Sequence, residues 1–90
     1  MRLKKGFVLR NICGENVIVG EGLEAIDFGK LISLNDSAAW LWAQAQELDD
    51  FSVENLAESL CQHYEVGIEQ AKADVSNIVA EWTNEGLVEA

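Results

Sequence analysis

Apolar and polar positions change period abruptly in the middle of this chain. The mostly apolar run Lys30 to Leu34 stops at Asn35, and helical spacing takes over at once. Ala38, Leu41, Trp42 and Ala45 fall at i, i+3, i+4 and i+7, one buried stripe of a first helix. Asn35 is placed to cap it, and Asp36 adds a negative charge where the helix dipole favours one. Asp49 and Asp50 end it. Ser52 caps a second helix, with Phe51 before it and Leu56 four positions inside it as a hydrophobic staple. Val53, Leu56, Ala57, Leu60, Cys61 and Tyr64 form the stripe of that helix. Gly67 begins a third helix, with Gln70 at the position that can reach back to the cap. Its stripe is Ala71, Val75, Ile78, Val79 and Trp82. Gly86 supplies a left-handed stop, and Leu87 beyond it can touch Trp82.

Ahead of the helices the period is two. Phe7 to Ile12 is rich in β-formers, Cys13-Gly14-Glu15-Asn16 is turn chemistry, and Val17-Ile18-Val19 resumes the strand, so a hairpin is predicted. Gly20-Glu21-Gly22 breaks the pattern, and Leu23 to Gly29 reads as a loop or irregular strand. Lys30 to Leu34 is a third strand, with Leu31 and Ser33 on one face and Lys30, Ile32 and Leu34 on the other. The prediction is an α+β fold, three antiparallel strands followed by three helices. With 90 residues, no proline and no linker-like stretch, one domain spanning 1–90 is expected.

Charge narrows the function. The net charge is −10, and Arg2, Lys4, Lys5 and Arg10 hold four of the six cations. Residues 11–90 therefore set only Lys30 and Lys72 against all 16 acidic residues. A body of that sign repels phosphate backbones and favours neutral or basic partners, although solubility alone also accounts for it. The basic N-terminus is no secretory signal, because Gly6 to Ile12 is short, contains Arg10 and precedes no small-residue cleavage site. No run approaches the roughly 20 apolar residues that span a bilayer. A cytoplasmic location is expected, and two cysteines without CxxC spacing agree with it.

No residues assemble into a reaction centre. His63 is the sole histidine, and on a helix Cys61 points away from it, so no metal set forms. The serines sit in no nucleophile motif, and Gly20-Glu21-Gly22 is a lone GxG carrying an acid, wrong for phosphate. Neither an enzyme nor a bound cofactor is expected. Helices two and three could form a helix-turn-helix pair, but the third offers Lys72 against Glu69, Asp74, Glu81 and Glu85, which excludes nucleic acid. Recognition of a peptide remains. An extended peptide can add to an exposed strand edge while its side chains enter the groove beside a helix; otherwise a loop or a second copy of the chain protects that edge. Trp40 lies off the first helix's stripe and is either covered by another element or exposed for a partner.

The order of Gly6-Phe7-Val8-Leu9-Arg10, Asp27-Phe28, Leu34-Asn35-Asp36-Ser37-Ala38-Ala39 with Trp42, Phe51 to Leu56, Tyr64-Glu65-Val66, Ala71, Asp74-Val75, Trp82 and Gly86-Leu87-Val88 resembles the PqqD family. These are small peptide-binding domains also called RiPP recognition elements. The resemblance covers nearly the whole chain. It implies a winged helix-turn-helix-like fold and a role in natural-product biosynthesis. Members bind the leader segment of a ribosomally made precursor peptide and present it to a modifying enzyme, often a radical SAM enzyme. The leader adds to the third strand and packs against the third helix. Carried over by position, the contacts are Lys30, Leu31, Ile32, Ser33 and Leu34 on the strand, with Asp74, Val75 and Ile78 on the helix. Asp74 either pairs with a basic or polar leader residue or serves a local backbone group and solvent. The alternative function is a protein-interaction or regulatory module whose winged-helix fold has lost DNA binding. Oligomeric state stays open between monomer and homodimer.

Overall fold

The computed structural model describes residues 1–20 and 31–89. In chain order they form β1 (Arg2–Leu3), β2 (Phe7–Ile12), β3 (Glu15–Gly20), β4 (Leu31–Leu34), α1 (Asp36–Leu48), α2 (Val53–His63), α3 (Ile68–Asn84) and β5 (Val88–Glu89). Strands β2, β3 and β4 make an antiparallel sheet with β3 in the centre. The three helices follow it, giving the α+β architecture that the sequence pattern predicts and the winged-helix type that the resemblance implies. The expected loop from Leu23 to Gly29, the Asp27-Phe28 pair and Lys30 lie outside the described residues.

The β2–β3 hairpin is tighter than the turn composition suggests. Ile12 and Glu15 already pair, leaving Cys13 and Gly14 as a two-residue turn. Both have positive φ, 52° and 83°, the combination that matches strand twist in a type I′ turn. The register sets Leu9, Ile18 and Ile32 side by side on the sheet face turned to the helices. Ile18 is completely buried, and Leu9 and Ile32 pack around the core from either side.

Local chemistry fixes each helix end. The Asn35 side chain accepts a hydrogen bond from the Ala38 amide at 2.8 Å, so β4 turns into α1 without a spacer. Asn16 of β3 donates to Asp36 at 3.1 Å, which pins the start of α1 to the sheet. At α2 the Ser52 hydroxyl accepts from the Asn55 amide, and the Asn55 side chain accepts from the Ser52 amide, closing a capping box. Phe51 and Leu56 are both buried beside it, as a staple requires. Helix α3 differs from expectation at its start. Gly67 makes no side-chain cap, and Gln70 bonds Asp74 at 2.8 Å instead of reaching back. The i, i+4 spacing puts those two side chains on one face, and that contact wins over the cap. The far end is a Schellman stop. Gly86 has φ +79°, its amide bonds the Thr83 carbonyl, and the Leu87 amide bonds the Trp82 carbonyl at 2.9 Å.

The core joins the sheet's inner face to all three helices. Trp42 and Trp82 meet edge to face with centroids 5.2 Å apart, and Phe51, Leu56, Val75 and Leu87 close around them. A short ladder that the sequence pattern does not predict adds to this. β1 pairs antiparallel with β5, and Lys4 donates to the Leu87 carbonyl at 2.7 Å. Two-residue strands carry too little periodicity to be read from sequence. The Met1 ammonium lies 2.8 Å from Asp50, and this hydrogen-bonded charge holds the Asp50 carboxyl below its ordinary range.

Candidate functional site

Among the described residues, β4 pairs with one strand only. Its residues pair with β3 from Asn16–Leu34 to Val19–Leu31, and among the described residues no strand occupies its other edge. In an antiparallel pair, alternate amides and carbonyls point away from the partner strand, here toward an edge that no described strand fills. Along the strand, Leu31 is 67% exposed and Ser33 is exposed, whereas Ile32 and Leu34 turn inward and pack on the core. This is the alternation expected of the third strand.

β4 looks onto α3 across one cleft, and a second, larger cleft lies beyond Asn35 among the three helices. The smaller, about 210 Å³, lies between β4 and the C-terminal half of α3, with Ile32, Leu34 and Trp82 as its apolar surface and Glu81 and Glu85 at its rim. The larger, about 460 Å³, reaches from Asn35 toward the N-terminal half of α3. Leu41, Leu60, Tyr64 and Ile78 make it apolar, and Asp74 and Asn77 supply polar groups. One face of α3 therefore lines both clefts, because Asp74, Asn77, Ile78, Glu81, Trp82 and Glu85 recur every three or four residues. Asp74 is half-buried, and its carboxylate accepts the Gln70 amide hydrogen bond.

The positions expected on α3 separate by depth. Asp74 and Ile78 stand at the groove surface. Val75 is 0% exposed in the core, so it backs the groove and offers no surface of its own to a ligand. Ile32, Ser33 and Leu34 wall the smaller cleft opposite Glu81 and Trp82, Leu31 is exposed at the start of the strand, and Lys30 lies outside the described residues. Tyr64, Leu41 and Leu60 also line the groove, although sequence reasoning assigned them to helix stripes. A helix stripe identifies residues turned toward neighbouring elements, but it does not tell a filled interface from a cleft. Glu81 and Asn77 could have been found by extending the i+3, i+4 series from Asp74.

Trp40 lies on the opposite side of α1 from the buried stripe. Its ring stacks on His63 at 4.4 Å with an interplanar angle of 11°, and meets the edge of Tyr64 at 5.8 Å. It is thus half-buried, covered in part by the end of α2. Cys13 is exposed and Cys61 half-buried, and both are free thiols. Among the described residues, no three His, Cys, Asp or Glu side chains gather to hold a metal ion, and no helix is long and apolar enough to cross a membrane.

Residues 15–88 match the family described as Coenzyme PQQ synthesis protein D (PqqD). The chain belongs to the PqqD family. The solved structures bear out the fold. TbiB1 in complex with the TbiA(beta) leader peptide superimposes with a TM-score of 0.79 at 19% identity, over 100% of this chain and 96% of that one. Lasso peptide synthetase B1, complexed with the leader peptide, gives a TM-score of 0.76 at 21% identity, over 99% of this chain and 96% of that one. No curated protein matches the sequence. The PqqD match begins inside the hairpin at Glu15 and takes in β4, all three helices and both clefts.

Proposed function

We propose that this PqqD-family chain is a non-catalytic peptide-binding module. It captures the leader segment of a ribosomally synthesised precursor peptide by strand addition and presents it to a modifying enzyme such as a radical SAM enzyme. It acts as a single cytoplasmic domain of residues 1–90 and uses no cofactor. The observation that carries the reading is the edge of β4 that no described strand occupies, facing α3 across an apolar groove. An extended peptide satisfies both walls at once: its backbone completes the ladder and alternate side chains enter the clefts. Leu31, Ile32, Ser33 and Leu34, with Lys30 preceding them, supply the edge, while Asp74 and Ile78 read side chains and Val75 supports them from below. Two structural neighbours that hold leader peptides support the same use of the fold.

A labelled-amide NMR titration tests it, using the N-terminal halves of short peptides encoded beside this gene. Shifts confined to residues 30–34 and the face of Asp74 and Ile78 are expected, together with slowed hydrogen exchange at those β4 amides that do not bond β3. A flat spectrum with every such peptide would sink the leader-binding role and leave the fold intact. One observation favours a second reading, a protein-interaction module. The Trp40 ring keeps part of its surface open beside His63. A Trp40→Ala variant that still captured its protein partner would remove that alternative.

A further inference from the structure

The groove carries a charge pattern as well as an edge. Its charged residues are Asp74 in the larger cleft and Glu81 and Glu85 in the smaller, and no Lys or Arg lines either cleft among the described residues. All three acids project from one face of α3, with Ile78 between Asp74 and Glu81. We propose that the strand bound here carries a basic residue, an apolar residue and a second basic residue at alternate positions. The apolar side chain sits over Ile78, and the two cations face Asp74 and Glu81. This rests on the strand-addition reading and specifies its ligand.

Spacing is the argument. Asp74 and Glu81 are seven residues apart, about 10.5 Å along a helix axis. Residues i and i+4 of an added strand lie about 13 Å apart on one face, with i+2 midway between them. The flexible stems of Lys or Arg absorb the difference of a few Å. The pattern reads the same in both chain directions, so it holds for a parallel or an antiparallel addition. Asp74 can accept a further donor while bonded to Gln70, because a carboxylate has about four lone-pair sites. An acidic strand would instead set like charges against the rim, and like-charge juxtaposition is how interfaces reject wrong partners.

Display selection of random peptides of about twelve residues, long enough at roughly 3.3 Å per residue to cross both clefts, tests the proposal on the full chain. Enrichment of the basic–x–apolar–x–basic pattern is expected. Asp74→Asn and Glu81→Gln should each weaken the recovered peptides about two- to fivefold, the range of half-exposed ion pairs. Glu58→Gln, on the exposed face of α2, should leave them unchanged. Recovered peptides that protect the β4 amides yet show no basic enrichment would overturn the charge pattern and spare strand addition. An equal loss from Glu58→Gln would reduce it to general attraction by an acidic surface and also overturn it. A selection that recovers no peptide would overturn strand addition, and this proposal with it.

Discussion

Helix α3 and strand β4 face each other across one groove, and they are held in opposite ways. α3 is fixed from behind: Ala71, Val75, Val79 and Trp82 are buried, and the Gly86 stop ties its end to Leu87 in the core. β4 is fixed from one side by β3, and Asn35 anchors its far end where α1 begins. The helix wall can therefore present side chains at set positions, while the strand wall offers backbone groups along an edge that no described strand occupies. On the proposed strand-addition reading, affinity and selectivity come from different walls. An edge binds almost any extended chain, and the helix face decides which side chains fit beside it.

The sharpest way to break this contrast is to remove what fixes the helix. Trp82 is 2% exposed and packs edge to face on Trp42. Trp82→Ala should cost about 3–5 kcal/mol by the cavity it leaves, read from chemical denaturation. Small domains hold roughly 5–15 kcal/mol in total, so a large share of the stability goes. Both walls should then melt together in hydrogen exchange.

The next perturbation leaves the frame standing and spoils the reading surface. Ile78→Asp places a carboxylate in the apolar cleft beside Asp74. A fully buried aliphatic contact is worth about 1.5–3 kcal/mol, so leader affinity should fall on the order of tenfold to a hundredfold. Isothermal titration beside a melting curve separates that loss from unfolding. A variant that binds as well as the parent would move the site away from α3.

Backbone geometry comes third. A Cβ added to Gly86 meets nothing within 4 Å, so crowding is not the obstacle. Its φ of +79° is, because side-chain-bearing residues pay about 1–2 kcal/mol in that region. Gly86→Ala should lower stability by that amount and fray the end of α3, where Glu81 and Glu85 stand. The corresponding change in the other wall, Asn35→Ala, removes a side-chain cap and should cost about 1 kcal/mol. Faster exchange of the Ala38 amide, which loses its acceptor, would report it directly.

The two walls were not equally legible in the sequence. Helix ends are written in short-range chemistry, so Asn35, Ser52 and Gly86 were readable, and Leu31 to Leu34 showed its two faces by alternation. The edge position of that strand came only through the resemblance, since sheet order is a long-range property. The β1–β5 ladder was invisible because two residues carry no period. On α3 the periodicity placed Val75 and Ile78 on one stripe, but depth depends on what lies opposite: Val75 meets the core and Ile78 meets a cleft. The same limit applied to Tyr64, whose stripe position suits either a filled interface or a groove wall.

Gln70 gives the smallest effect and separates two local rules. As a helix-capping residue it would be worth about 1 kcal/mol, and Gln70→Ala would then match Asn35→Ala. The structure pairs it with Asp74 on an exposed surface, and an i, i+4 side-chain hydrogen bond contributes about 0.2–0.5 kcal/mol. Gln70→Ala should therefore barely move a denaturation midpoint. Its consequence lies in the groove, because it releases one donor from the Asp74 carboxylate. A basic ligand residue should then meet a less-satisfied acceptor and bind slightly tighter, whereas a residue that only packs on Ile78 should show no change. A stability loss near 1 kcal/mol would restore Gln70 to the cap and leave Asp74 unaffected by it.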